Sequence, residues 1–376
     1  MKRSPVVILA GIRWGFLWQR HQALATLFAR AGYPTVFVET TGIANPRPSW
    51  DALRKISARL RASGSSKAQV EKNLTIYAPV VAPPTAEAFR KVNTRIFAPR
   101  VVRDLHRLVG RNPIIIAYPP TRTTLDIVAG LEPRVLLYDR SDDYSAFPRI
   151  PDDIAATERE LIQNSDLISC TSTTLLEDLR PSRPDAFLSG PAVEYERFAV
   201  LQNEHRDAIQ TVCFFGDLSE SRLDTRVFEA IAQAGIQVRL LGRLGRREKC
   251  LAGMPSINYV GVVDHSRLPE ALAGVDAFVL PYKASHLTRG ISPAKLYECL
   301  ATGKPIVASR LPAIMELGQH IYQVDSLEDF VRALRNLQTS ESEARVRARI
   351  ELARANSWEA RFGEIERRIQ EALDPA

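Results

Sequence analysis

The sequence predicts an α/β protein with two doubly wound parallel sheets, and three observations carry that expectation. The length, 376 residues, fits about two domains of ordinary size. Short all-apolar runs alternate with helical patterns along the chain, as in parallel sheets whose strands are covered on both faces. Residues 289–309 form a compact unit in which a short helix lies between two buried strands and presents a lysine and a glutamate.

The elements follow in order. Val6–Leu9 reads as a strand, then the glycine-bearing loop Gly11–Gly15, a helix over Gln19–Ala31 ended by Gly32, and a strand at Thr35–Glu39. Residues 42–72 are basic and rich in Gly, Pro and Ser, a long loop with at most one helix. Leu74–Tyr77, Ile114–Ala117, Val135–Tyr138 and Leu167–Thr171 are the further strands of the first sheet, with a helix over Asp152–Asn164. A second sheet starts near Thr211, after a junction at about 195–210. Its strands are Val212–Phe215, Val238–Leu241, Ile257–Val260, Ala277–Leu280 and Pro305–Ala308, with helices at Asp224–Gln233 and Arg267–Ala273. No internal repeat or low-complexity tract interrupts this order.

Composition excludes several classes. Hydrophobic content of 45% and charged content of 25% are those of a globular protein. Pro5–Ile12 is far shorter than the ~20 residues of a spanning helix and lacks a signal peptide's cleavage pattern, so a cytoplasmic protein is expected. Cys170, Cys213, Cys250 and Cys299 show no metal or redox spacing and read as reduced core thiols. The net charge of +7 is uneven: residues 1–122 carry 20 Lys and Arg against 5 Asp and Glu, whereas residues 123–195 carry 6 against 14. Arg100, Arg103, Arg107 and Arg111 share one helical face and Val101, Leu105 and Leu108 another, a pattern suited to an anionic membrane surface or to packing on the domain's own sheet. A nucleic-acid partner is not expected, because no recognition motif with interleaved aromatics occurs.

Within residues 289–309, Ser292 is a natural N-cap, Pro293 suits the first helical position, Gly303 suits a left-handed C-cap, and Pro305 stops the helix. Lys295 and Glu298, three apart, share a face. A helix N-terminus at the carboxyl end of a parallel strand favours a phosphorylated ligand. Leu280-Pro-Tyr282, Thr288–Glu298 and Leu300–Ser309 resemble the donor-nucleotide motif of GT-B glycosyltransferases of the bacterial exopolysaccharide and teichuronic-acid type. The resemblance implies two facing Rossmann-like domains, 1–195 for the acceptor and 196–357 for the donor. The stretch that begins at Ser357-Trp-Glu-Ala-Arg-Phe then resembles the family's last helix, at 358–376, which crosses back to the first domain.

The same resemblance assigns Lys295 to the diphosphate and Glu298 to the ribose hydroxyls of a nucleotide-sugar. It adds Tyr282, Thr288, Arg289, Ser292, Gly216, Arg222, Gly242, Arg243 and Val263 to the donor set. Many retaining members carry a glutamate eight positions before the ribose glutamate, and here that position is Gly290. The search for acid–base chemistry therefore moves to Tyr138–Phe147, which resembles a tyrosine-aspartate and double-aspartate loop of related transferases. More distant xanthan glucuronosyltransferases have an aspartate of this domain as proposed base. Asp139, Asp142 and Asp143 are the candidates, with helix capping or an arginine partner as their alternative use. Related enzymes place a tryptophan-bearing acceptor loop after the first strand, which gives Arg13, Trp14, Arg20 and His21.

No Asp-x-Asp triplet, Gly-x-Gly-x-x-Gly or P-loop motif occurs, so neither a metal nor a redox cofactor is expected. The expectation is a glycosyltransferase that moves a sugar from a UDP- or GDP-sugar to a hydroxyl of a membrane-associated glycan or glycolipid, peripheral on the cytoplasmic face of the inner membrane. A sugar-nucleotide epimerase of the same fold would turn over donor without acceptor. A non-catalytic partner subunit would bind nucleotide without turnover.

Overall fold

The computed structural model describes residues 3–15, 18–39, 66–84, 86–147, 150–202, 208–245 and 248–374. The chain divides into two compact units, Met1–Ser189 with Phe362–Ala376, and Gly190–Arg361.

In the first unit β1 (Val6–Ala10) leads through α1 (Arg20–Arg30) to β2 (Thr35–Glu39), and β3 (Ser66–Glu71) and β4 (Leu74–Ala78) follow. A nearly continuous helical segment comes next: α2 (Glu87–Val92), a π-helical turn Asn93–Phe97 and α3 (Ala98–Val109). Then come β5 (Ile114–Ala117), α4 (Arg122–Leu131), β6 (Val135–Arg140), α5 (Ile154–Asn164), β7 (Leu167–Cys170), α6 (Thr173–Leu179) and β8 (Phe187–Leu188). The sheet order is β3-β4-β2-β1-β5-β6-β7-β8, parallel except for the β3–β4 pair. Strand β1 is buried at every position because it is central, with Val7 beside Val36 on one side and Ile115 on the other. The order reverses between β1 and β5, so the loops at their carboxyl ends diverge and leave a crevice, the usual ligand position in such sheets.

The second unit contains α7 (Tyr195–Ala199), β9 (Thr211–Phe215), α8 (Arg226–Gln233), β10 (Gln237–Leu241), β11 (Ile257–Gly261), α9 (Leu268–Leu272) and β12 (Ala277–Leu280). It continues with α10 (His286–Arg289), α11 (Lys295–Ala301), β13 (Ile306–Ser309), α12 (Pro312–Met315), β14 (Tyr322–Val324), α13 (Leu327–Ser340) and α14 (Glu343–Ala355). The wholly parallel sheet runs β11-β10-β9-β12-β13-β14 and reverses between β9 and β12. The last helix, α15 (Trp358–Leu373), belongs to the first unit from Phe362 onward. There Ile365 and Ile369 are fully buried, Phe362 meets Phe28 edge-on, and Glu366 accepts from Tyr33 Oη at 2.8 Å.

The structure changes some of these expectations and decides between others. Helix α11 begins at Lys295 with Ala294 as N-cap, because the chain turns once through Pro293 (Leu296 N to Pro293 O, 2.9 Å) before it becomes helical. Ser292 therefore precedes the helix by three residues and is not its N-cap. Val101 and Leu105 are buried in the first unit's core, so the apolar face of α3 is covered by its own sheet; Arg100, Arg103, Arg107 and Arg111 are exposed. Cys250 is exposed, unlike the other three cysteines. The long loop expected at 42–72 lies mostly outside the described residues, but its end forms β3 against β4.

Gly303 (φ +71) ends α11 in the left-handed region, and its carbonyl accepts from Arg349 Nε at 3.0 Å. Arg349 is fully buried, and its Nη2 donates to Glu341 at 2.6 Å. Burial pushes its guanidinium below the ordinary arginine range, with Glu341 opposing. Removal of the partner leaves an uncompensated buried cation. Glu341→Gln is expected to cost about 3 kcal/mol in urea unfolding, whereas Arg349→Met costs about 1 kcal/mol or less. Equal losses in the two variants would show that the charge is not what the site must balance.

Candidate functional site

In the second unit the strand ends next to the β9–β12 reversal are drawn together by two glycines. Gly216 (φ +121) ends β9 and Gly242 (φ +128) ends β10, conformations that other residues rarely adopt. A Cβ on Gly242 would lie 1.7 Å from the Gly216 carbonyl oxygen, so only glycine fits. The Gly242 carbonyl accepts from Tyr259 Oη at 2.9 Å. Bridges between Leu218 and Leu244, and between Leu223 and Tyr282, join the loops that follow β9, β10 and β12.

Lys295 projects into this corner. Its ammonium lies 4.3 Å from the centre of the Phe214 ring and donates to Tyr282 Oη at 3.1 Å. A Cβ on Gly216 would sit 2.7 Å from that nitrogen, so the missing side chain leaves the space the ammonium occupies. A half-buried cation beside the turn of a strand end suits a diphosphate. One turn along α11, Glu298 Oε1 lies 3.0 Å from His265 Nε2, and His265 Nδ1 lies 2.8 Å from Arg197 Nη1. Arg197 is paired in turn with Glu194. The Glu298 and His265 side chains are each 16% exposed, so the carboxylate remains open to a ligand.

The remaining donor candidates are placed as follows. Arg222 is half-buried on the loop after β9, where its carbonyl accepts from Lys283 N at 2.8 Å. Arg243 is exposed after β10, with Asp217 4.0 Å away. Val263, half-buried, follows β11 in the loop that leads to His265. Arg289 is exposed at the end of α10. Thr288 is fully buried, and its hydroxyl accepts from Ser285 N at 3.0 Å and donates to the Lys283 carbonyl. That hydroxyl shapes its own turn, which differs from the expected ligand contact. Gly290 has an ordinary right-handed conformation (φ −86). His265 and Arg197 were not anticipated. The only signal for His265 was its place two residues after Val263 in a loop already assigned to the nucleotide.

The acceptor candidates of the first unit divide into exposed and buried groups. Arg13 is exposed. Trp14 is half-buried, held by its backbone N–H to Glu39 Oε1 at 2.7 Å and by ring contacts with Phe37 and Trp18. Arg20 is not a free anion ligand. It is buried, with Nε 2.6 Å from Asp139 Oδ2 and Nη2 donating to Ser189 Oγ at 2.8 Å. Asp139 is fully buried, and its other oxygen accepts from Ser169 at 2.7 Å. Both oxygens are occupied, so the geometry gives Asp139 a structural part instead of a base's. Asp143 Oδ1 accepts from Ser145 N at 3.1 Å and caps the turn Tyr144–Ala146. Asp142, half-buried, precedes it in the same loop. Arg140 is taken by Glu158 at 3.0 Å. Among the described residues no group of three His, Cys, Asp or Glu is placed to hold a metal ion.

His21 lies 3.8 Å, centre to centre, from the Tyr118 ring, and its buried Nδ1 has no hydrogen-bond partner among the described residues. Burial, with nearby Arg20 adding to it and Asp139 opposing, lowers His21 to about 4. The unfolded chain therefore takes up this proton first, near the free-histidine value of about 6.5. The contribution to stability is complete above that value and is lost as pH falls toward 4. Between pH 7 and pH 5 the loss from this group is about 2 kcal/mol. Urea unfolding at the two pH values is expected to show that slope in the native chain and not in His21→Leu; identical slopes would refute the burial argument.

Residues 210–340 match the family described as Glycosyl transferases group 1. A Bacillus subtilis (strain 168) protein, named as the teichuronic acid biosynthesis glycosyltransferase TuaH, is 27% identical over 238 residues. That match spans 56% of this chain and 58% of that protein. Among solved structures, sucrose-phosphate synthase from Thermosynechococcus elongatus is similar at TM-score 0.71 and 15% identity, covering 98% of this chain and 100% of that one. Anabaena HepE, solved with UDP and glucose, is similar at TM-score 0.66 and 12% identity, covering 98% and 100%. An Escherichia coli trehalose-6-phosphate protein, bound with UDP-2-fluoro glucose, is similar at TM-score 0.69 and 11% identity, covering 99% and 100%. Together with the two parallel-sheet units, these similarities identify residues 210–340 as a group 1 glycosyl transferase domain within a chain of GT-B fold.

Proposed function

We propose that the protein transfers a sugar from a UDP- or GDP-sugar to a hydroxyl of a glycan or lipid-linked acceptor in cell-surface polysaccharide synthesis. The observation that carries this is the Lys295–Glu298 face at the β9–β12 reversal, a cation and a carboxylate one helical turn apart. In this reading Lys295 neutralises the diphosphate, whose charge rises as the sugar leaves, and Glu298 accepts from the ribose hydroxyls. The acceptor oxygen forms a bond to the anomeric carbon, the bond to the diphosphate breaks, and the acceptor proton passes to a carboxylate. Asp142 and Asp143 are the candidate bases, since both oxygens of Asp139 are taken by Arg20 and Ser169. The UDP bound by HepE and the UDP-sugar bound by the E. coli protein favour a uridine donor, and the teichuronic acid biosynthesis in TuaH's name favours a polysaccharide product.

Membrane attachment of the first unit is part of the same proposal. No helix among the described residues is long and apolar enough to cross a membrane. The outer side of α2 and the π-helical turn exposes Phe89, Val92 and Ile96, and Lys91, Arg95, Arg100 and Arg103 are exposed on the same helical segment. This is an apolar stripe bordered by cations, the composition that suits an anionic leaflet.

Two measurements test the proposal. Lys295→Ala and Glu298→Ala should each weaken UDP or GDP binding about ten- to hundredfold by calorimetry, the range for loss of a charge-assisted hydrogen bond. Unchanged affinity in both would remove the donor-site assignment. Sedimentation with phosphatidylglycerol vesicles should bind the full chain, weaken with salt, and fall several-fold in Phe89→Ser/Ile96→Ser; equal binding to neutral vesicles or by the double variant would exclude this surface.

A further inference from the structure

We propose that His265 is a positioning residue that makes Glu298 discriminate ribose from deoxyribose, an inference that rests on the donor-site reading above. Glu298 carries its carboxylate on a flexible side chain at the surface of α11. To receive two adjacent ribose hydroxyls, that carboxylate must be held in one orientation. His265 supplies the hold: its Nε2 lies 3.0 Å from Glu298 Oε1. The ring is itself fixed. It opens a short turn, His265–Arg267, capped by Asp264, whose Oδ1 accepts from Ser266 N at 2.9 Å. It lies 6.1 Å, centre to centre, from the buried Phe198 ring.

The other ring nitrogen settles the direction of the bond. Arg197 Nη1 lies 2.8 Å from His265 Nδ1, and a guanidinium only donates. Nδ1 therefore accepts, the ring proton sits on Nε2, and Nε2 donates to Glu298. Arg197, on α7, is anchored to Glu194, the residue that precedes that helix. Four side chains thus run from α7 to α11 in the order Glu194, Arg197, His265, Glu298. A neutral donor orients the carboxylate without cancelling its charge. The direct neighbour of Glu298 is an imidazole, whereas a lysine or arginine there would compete with the sugar hydroxyls. Glu298 Oε2 has no hydrogen-bond partner among the described residues and is left to the ligand.

The test compares UDP and GDP with their 2′,3′-dideoxy forms by calorimetry, on the full chain. Whichever base binds, the native chain should prefer the ribo form, and His265→Ala should weaken the ribo form about tenfold while leaving the dideoxy form unchanged. His265→Gln, whose amide can donate from a similar position, should restore most of the preference. Arg197→Ala should reduce it partly, because Nδ1 loses its donor. If His265→Ala weakens both forms equally, the histidine is only structural support and the inference fails. If Glu298→Ala erases the preference and His265→Ala does not, the inference fails while the donor site stands. If Glu298→Ala itself keeps the preference, the ribose assignment falls, and the inference with it.

Discussion

The geometry of the Lys295 corner depends on the close approach of two peptide units. Strands β9, β10 and β11 end in a row, and glycine backbone joins them: Gly216 N donates to Leu241 O at 2.8 Å, and Gly242 N donates to Gly261 O at 2.7 Å. No side chain can stand between Gly242 and Gly216. The strand ends therefore sit closer together than side chains would permit, and the Lys295 ammonium fills the remaining space beneath the Phe214 and Tyr282 rings. A cation held this way loses little freedom when an anion arrives, because its surroundings already fix it. The chemistry of the site is thus set as much by two absent side chains as by the lysine.

Elements governed by local sequence were legible. The buried runs at Val6–Ala10, Ile114–Ala117 and Ala277–Leu280 became strands because nothing but a covered sheet could hold them. Gly303 became a left-handed helix end, as its place before Lys304-Pro305 implied. The N-terminus of α11 was less legible. Ser292 and Pro293 compete with a tighter turn, and the choice is made by burial of Pro293, a tertiary effect. Short edge strands such as β8 and β14 were missed, since a few residues at a sheet margin carry little pattern.

Side-chain partnerships across long separations were illegible for a different reason. Asp139 and Arg20 are 119 residues apart, and each looked like a surface functional group in its own loop. The fold brings the ends of β6 and α1 together, and two charges that leave water must find each other. His265 and Glu298 are 33 apart and meet only because the turn after β11 lies beside α11. The amphipathic pattern of α3 was read correctly, but its apolar side has a partner within the unit. The exposed Phe89, Val92 and Ile96 went unnoticed because a π-helical turn resets the helical phase beside them.

Helix α15 has a consequence for how the protein is made. The first unit contains the chain's first residues, yet Ile365 and Ile369 are part of its buried interior, and the Glu366 carboxylate meets both Arg3 and Tyr33. Phe28 waits for Phe362, 334 positions later. On the ribosome the second unit emerges whole while the first still lacks a wall, so the unit whose strands are made earlier is the last to close. Until residue 369 is free, an open apolar flank must be tolerated or shielded, and early release of the chain leaves it uncovered.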